Sequence, residues 1–147
     1  KNVLAVATGA ADGLGMGPNA RAALMTRGLA EMTRLGIALG GRALTFLGLA
    51  GVGDLILTCT DDLSRNRTLG KKVAEGVDPA EYLAQQKSVA EGYLTSHACF
   101  ELAQQKGVEV PITEQVFHVL HRGRPLQEAV RQLVNRSFQD VLQGITL

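Results

Sequence analysis

An all-α fold of about seven or eight helices is what this sequence predicts, and three observations predict it. Apolar residues recur at three- and four-residue spacing along most of the chain, Pro18, Pro79, Pro111 and Pro125 stand where helices would open, and Gly40, Gly76 and Gly107 stand where helices would stop. Only Val3 to Ala7 and Val108 to Val110 have the character of strands, and their helical surroundings argue against both.

The elements follow in order. Pro18 opens a long helix, expected to be the central one, on which Leu24, Gly28, Met32, Leu35 and Leu39 recur until Gly40-Gly41 stops it. Ala43 to Leu47 forms a short helix leading into Gly48, Gly51 and Gly53, whose permissive backbones allow sharp turns or close approach before a helix carrying Asp54. Arg65 to Glu75 is helical and ends at Gly76. Asp78-Pro79-Ala80-Glu81 is a capping box with proline at the first helical position, starting a helix toward Gln86. Ala90 to Lys106 follows, with Leu94, Ala98 and Leu102 on one stripe and Gly107 as its stop. Thr113 to His121 is helical through Val116, Phe117 and Leu120, and Pro125 to Asn135 places Leu126, Val130, Leu133 and Val134 on a common face. No repeat, low-complexity tract or linker divides the chain, so residues 1–147 read as a single domain.

Composition narrows the function classes. Fifteen Lys plus Arg against 14 Asp plus Glu leave a formal charge of +1, which supplies no broad basic surface for nucleic acid or anionic membrane. The apolar run Ala43 to Gly53 is too short to span a bilayer and is closed by Asp54, so no membrane insertion is expected. Cys59 and Cys99 fall in apolar helical segments without metal-ligand spacing and read as reduced core residues of a cytoplasmic protein. The chain opens on Lys1 with a short apolar stretch that imitates a signal peptide only faintly, and it reads as a fragment.

Several patterns suggest chemistry that their context does not support. Val3 to Gly15 contains Thr8-Gly9-Ala-Ala-Asp-Gly13-Leu-Gly15, the spacing of a short-chain dehydrogenase cofactor loop, which would bring backbone close to a pyrophosphate after a strand. Such an enzyme also needs a tyrosine four residues before a lysine, whereas Gln86 and His97 follow Tyr82 and Tyr93 at that distance. Glu114, His118 and His121 share a helix face but lack the His-Glu-x-x-His spacing of a zinc site, and a partly exposed polar face explains them equally. Neither a Gly-x-Ser-x-Gly elbow nor a Walker pattern is present.

The most informative stretch is Gly51-Val-Gly-Asp-Leu-Ile-Leu-Thr58 followed by Ser64-Arg-Asn-Arg67. Asp54 and Thr58 stand four residues apart, so on a helix their oxygens share a face. Ser64 to Arg67 has the composition of a helix opening, where unpaired amides, the positive end of the helix dipole and an arginine fork together suit a phosphate dianion. Read only from these residues, the turn is more simply a helix cap beside a solvated arginine pair, and Lys1 is a solvated terminal lysine.

Six ordered blocks carry a broader likeness: Lys1-Asn2, Asn19 to Met32, Gly51 to Thr60, Ser64 to Arg67, Val89-Ala-Glu-Gly-Tyr93 and Pro111-Ile-Thr-Glu114. With them the chain closely resembles, nearly end to end, the carboxy-terminal domain of bacterial NAD(P)-dependent glycerol-3-phosphate dehydrogenases. The resemblance implies a 6-phosphogluconate-dehydrogenase-like all-α substrate domain, normally preceded by a Rossmann domain that is expected to be missing from this chain. It implies interconversion of sn-glycerol 3-phosphate and dihydroxyacetone phosphate with NAD or NADP, supplying glycerol 3-phosphate for phospholipid synthesis, and a homodimer. By resemblance, Lys1 is the proton donor and acceptor at the substrate C2 oxygen. Asp54, Ser64, Arg65 and Asn66 hold the substrate, Thr58 matches a substrate-contacting threonine of related eukaryotic enzymes, and Arg65, Val89 and Glu91 reach the cofactor. Ala90 departs from the commoner Val-Val-Glu but keeps Glu91 in register. Without the dinucleotide domain the chain is expected to be inactive by itself. The competing expectation is a stand-alone helical binding or dimerisation module that shares the fold without turnover.

Overall fold

The computed structural model describes residues 1–135; residues 136–147 of the expected domain lie outside the described residues. The described residues form α1 (Asn2–Gly13), α2 (Gly17–Ala38), α3 (Ala43–Leu47), α4 (Asp54–Thr60), α5 (Arg65–Ala74), α6 (Pro79–Ala84), α7 (Glu91–Lys106), α8 (Pro111–Arg122) and α9 (Leu126–Val134), with one π-helical turn at Leu49–Gly53 before α4. Among the described residues there is no strand.

The domain is built around α1. Val3, Leu4, Ala5, Val6, Thr8, Gly9, Ala10 and Ala11 are all buried, and α2, α4, α5, α7 and α8 pack around them. A helix enclosed on every side has no polar face to mark a 3.6-residue period, so its apolar run looks the same as that of a buried strand. The expected central helix, α2, is longer but lies outside α1 and buries only Gly28, Ala30, Glu31 and Thr33.

The glycine pattern in α1 has a packing role. A Cβ on Gly9 would stand 2.1 Å from the Arg67 carbonyl oxygen, and one on Gly70 would stand 2.1 Å from the Val6 carbonyl oxygen. At this crossing α1 and α5 touch backbone to backbone, which only glycine permits. Leu55 and Cys59 of α4, Leu69 of α5, and Ile112, Val116 and Leu120 of α8 complete the core with Val3 to Val6. The expected stripe on α7 is corrected: Leu94 is 65% exposed, whereas Ser96 and Ala103 are fully buried. Ser96 turns inward with its hydroxyl 2.9 Å from His121 Nε2 of α8, so a polar contact and not hydrophobicity sets this part of the buried face.

Two polar devices hold the helices in register. Glu31, 2% exposed on α2, accepts hydrogen bonds from the Ile112 amide at 2.6 Å, the Thr113 amide at 3.2 Å and the Thr113 hydroxyl at 3.1 Å. It therefore caps the opening of α8 from a distant helix. Burial pushes its carboxyl up to about 7, against the pull of these hydrogen bonds and of Arg34. At the end of α1, Asp12 accepts from Arg21 Nε at 3.1 Å and Nη2 at 2.9 Å and also pairs with Arg67. Burial would raise the Asp12 carboxyl, but the two arginines hold it below its ordinary value.

Candidate active site

The first turn of α1 and the first turn of α4 bring together two expected site residues that stand 53 positions apart in sequence. Lys1 Nζ donates to Asp54 Oδ1 at 2.9 Å and stands 2.7 Å from Oδ2, with the side chains 42% and 39% exposed. The pair is thus formed at the surface, where a small molecule can reach it. One helical turn along α4, Thr58 Oγ1 donates to the Asp54 carbonyl at 2.7 Å. That commits the hydroxyl proton to the helix and leaves the oxygen as an acceptor for a substrate hydroxyl.

Ser64 opens α5 as its N-cap, its hydroxyl accepting from the Arg67 amide at 3.3 Å. Asn66 Oδ1 accepts from the Gly92 amide at 2.8 Å, which ties the start of α5 to the start of α7. On the other side Asn2 Nδ2 donates to Glu91 Oε2 at 2.9 Å, so the beginning of α1 also grips α7. These links shape a cleft of about 300 Å³ lined by Asn2, Thr58, Ser64, Arg65, Asn66, Val89 and Glu91, with Leu57, Asp61 and Leu63.

Six of the eight expected site residues, Thr58, Ser64, Arg65, Asn66, Val89 and Glu91, therefore line one cavity. The other two, Lys1 and Asp54, are paired one residue from Asn2 and one helical turn from Thr58. The arrangement offers an ammonium and a carboxylate at one end and, at the other, an exposed arginine on the opening turn of a helix, where the dipole favours an anion. Val89, 58% exposed, and Glu91 stand at the rim. That position suits contact with a second group approaching from outside the domain.

The basic turn does not act as a unit. Arg65 is exposed, but Arg67 is only 2% exposed and its guanidinium faces the protein interior. The sequence does carry the signal for this split, because residues two apart on a helix point to opposite sides. Asn2 was matched as part of a motif without a role, and its bond to Glu91 appears only once α1 and α7 are packed together.

The decoy patterns have structural partners. His121 Nε2 lies 2.9 Å from both Ser96 Oγ and the Tyr93 carbonyl, its ring centroid is 5.4 Å from that of Phe117, and His118 sits 3.8 Å from Glu114. Among the described residues no group of three or more His, Cys, Asp or Glu side chains is placed to hold a metal ion. Cys59 is buried in the core and Cys99 is half-buried, both as free thiols. Among the described residues no helix is long and apolar enough to cross a membrane.

Known proteins share this layout. Residues 1–131 match the family model described as NAD-dependent glycerol-3-phosphate dehydrogenase C-terminus. A glycerol-3-phosphate dehydrogenase [NAD(P)+] of Geobacter sulfurreducens is 55% identical over 139 residues, 95% of this chain and 42% of that protein. Its counterpart in Cupriavidus metallidurans is 60% identical over 140 residues, 95% of this chain and 41% of that protein. The crystal structure of glycerol-3-phosphate dehydrogenase from Coxiella burnetii superposes with a TM-score of 0.88 at 49% identity, over 92% of this chain and 42% of that one. The yeast enzyme structure gives 0.78 at 30% identity, over 90% of this chain and 39% of that one. The chain thus spans about two fifths of the length of the relatives it matches. With the match running through nearly all of the described residues, the chain belongs to the NAD-dependent glycerol-3-phosphate dehydrogenase C-terminal family.

Proposed function

We propose that this domain is the substrate-binding and proton-transferring half of an oxidoreductase that interconverts sn-glycerol 3-phosphate and dihydroxyacetone phosphate with NAD or NADP. The observation that carries the reading is the Lys1–Asp54 pair, closed across 53 positions of sequence beside a cavity whose opposite end is an arginine-bearing helix opening.

In this reading the phosphate sits at the first turn of α5, held by Arg65, the Ser64 hydroxyl and the opening amides of the helix. Thr58 and Asp54 accept the substrate hydroxyls. The C2 oxygen then faces Lys1 Nζ, which stabilises negative charge developing on that oxygen and delivers a proton to it; in the reverse direction the neutral amine takes the proton back. Asp54, held at 2.7 Å, aims the amine and limits its rotamers. The hydride at C2 would be supplied or accepted by a nicotinamide bound beside these residues. Arg65, Val89 and Glu91 are the residues of this domain that would touch such a cofactor, with a Rossmann domain supplying most of its binding. The domain by itself is therefore proposed to be inactive. Such an enzyme works in the cytoplasm and supplies glycerol 3-phosphate for phospholipid synthesis. Self-association into a homodimer is proposed through the exposed leucines of α3 and the adjacent π turn, where Leu44 is 62%, Leu47 47% and Leu49 88% exposed.

The test is steady-state kinetics of the full-length enzyme containing this domain. Lys1→Ala is expected to lower kcat by about a hundredfold or more at unchanged helical content, since it removes both the charge and the proton at C2. Turnover near that of the unsubstituted enzyme would refute the assignment.

A further inference from the structure

We infer that Arg67 is a positioning residue, a buried guanidinium that closes the α4–α5 hairpin and so sets the anion-holding turn Ser64–Asn66 at its working distance from Asp54 and Thr58. This rests on the proposed reading of that turn as the phosphate end of the site.

The hairpin needs such a clasp. Asp54 and Thr58 lie on α4, whereas Ser64 to Asn66 open α5, and the residues between them, Asp61 to Leu63, are exposed, with Leu63 at 89%. Nothing apolar in that loop anchors its conformation. Arg67 supplies the anchor: Nη1 donates to the Thr60 carbonyl at the end of α4 at 3.1 Å and to Asp62 Oδ1 in the loop at 2.8 Å. Nη2 bonds Asp12 at the end of α1, and the Arg67 amide bonds Ser64 Oγ at 3.3 Å. One side chain thus joins the last residue of α4, the loop and the central helix, and the amide of the same residue holds the N-cap of α5.

The chemistry suits geometry more than stability. The guanidinium is neutralised by Asp12 and Asp62, so it adds no direct attraction for a bound anion. Its Nε is buried with no hydrogen-bond partner among the described residues, a cost that an apolar side chain at this position would not carry. The planar fork is the feature that reaches three acceptors in different directions, and an ammonium on a flexible stem cannot reproduce it. The turn Ser64–Asn66 in turn fixes Gly92 through Asn66 Oδ1, so the setting of Arg67 extends to the start of α7 and to Glu91.

The test uses the full-length enzyme and three variants, Arg67→Lys, Asp62→Asn and Arg65→Ala, with KM for dihydroxyacetone phosphate, kcat, and the competitive inhibition constant of inorganic phosphate as readouts. Asp62 is included because its side chain is 83% exposed, so its replacement leaves folding intact while removing the charge that strengthens one of the clasp's hydrogen bonds. Arg67→Lys is expected to raise KM and the phosphate inhibition constant together, about tenfold, with kcat within about twofold; Asp62→Asn should shift both in the same direction by about threefold. A merely structural role would reduce the active fraction, lowering apparent kcat at constant KM, and that pattern overturns the inference. So does an unchanged KM in Asp62→Asn, which decides the matter alone if Arg67→Lys does not fold. If Arg65→Ala raises KM while the other two do not, the positioning role fails and the phosphate site stands; if Arg65→Ala leaves KM unchanged, both fall.

Discussion

Replacing Glu31 by glutamine tests whether the domain carries a proton in its interior at mildly acidic pH. The carboxyl is 2% exposed and receives three hydrogen bonds from the opening of α8. Desolvation nevertheless dominates and raises its pKa from 4.5 to about 7. An acid whose folded value exceeds its unfolded value binds its proton more tightly in the native state. Its stabilising contribution is therefore complete below pH 4.5 and is lost as pH rises through about 7. At about 1.4 kcal/mol per pH unit, the interval from 4.5 to about 7 amounts to about 3 kcal/mol. Glutamine matches the neutral form in shape and does not titrate. The measurement is urea unfolding of this chain followed by far-ultraviolet circular dichroism, which suits an all-helical domain with no tryptophan. The stability difference between the parent chain and Glu31→Gln should move by about 3 kcal/mol in favour of the variant between pH 4.5 and pH 7.5. The three histidines are common to both proteins, so whatever they contribute cancels in the difference. A difference that stays flat across the window would refute the claim that burial outweighs the three hydrogen bonds.

Two further substitutions probe the scaffold. Gly9→Ala places a methyl group 2.1 Å from the Arg67 carbonyl, so a loss of about 3 kcal/mol or more and a clear drop in Tm are expected; a melt superimposable on the parent's would show that α1 and α5 can separate cheaply. Asp12→Ala leaves the buried guanidinium of Arg67 with Asp62 as its only carboxylate, and calorimetry should show about 3 kcal/mol lost at neutral pH. Because the Asp12 carboxyl is held below its ordinary value of 3.8, its contribution in the parent is present above that pH and disappears as pH falls through the folded value, so parent and variant should converge in acid. Stability curves that run parallel from neutral pH into acid would contradict the pairing.

How legible the molecule was in its sequence differs from element to element. The capping box at Asp78 is a local device, and the Asp78 carboxylate does accept from the Glu81 amide at 2.8 Å. Gly107 was recognisable as a helix stop and adopts φ +63 in the left-handed region. These succeed because capping and glycine conformations involve neighbours only a few residues away. α1 was not legible as the centre, since a fully buried helix shows composition without period. The face of α7 was misread because Leu94 outranks Ser96 in hydrophobicity, while Ser96 is buried with its hydroxyl against His121 of α8.

The same division applies to the site. Sequence alone determined the all-helical class, most helix boundaries, the family blocks and the residues that end up near one another, because periodicity, caps and motif order are properties of the chain itself. Only the tertiary structure decided that Lys1 meets Asp54 beside the cleft, that Asn2 grips Glu91, and that, of two arginines set on opposite sides by helix spacing, Arg67 is the one drawn in between Asp12 and Asp62. The reason is physical: pairing and burial depend on which helices cross, and that is set by the glycine contact of α1 with α5, an interaction between residues about sixty positions apart.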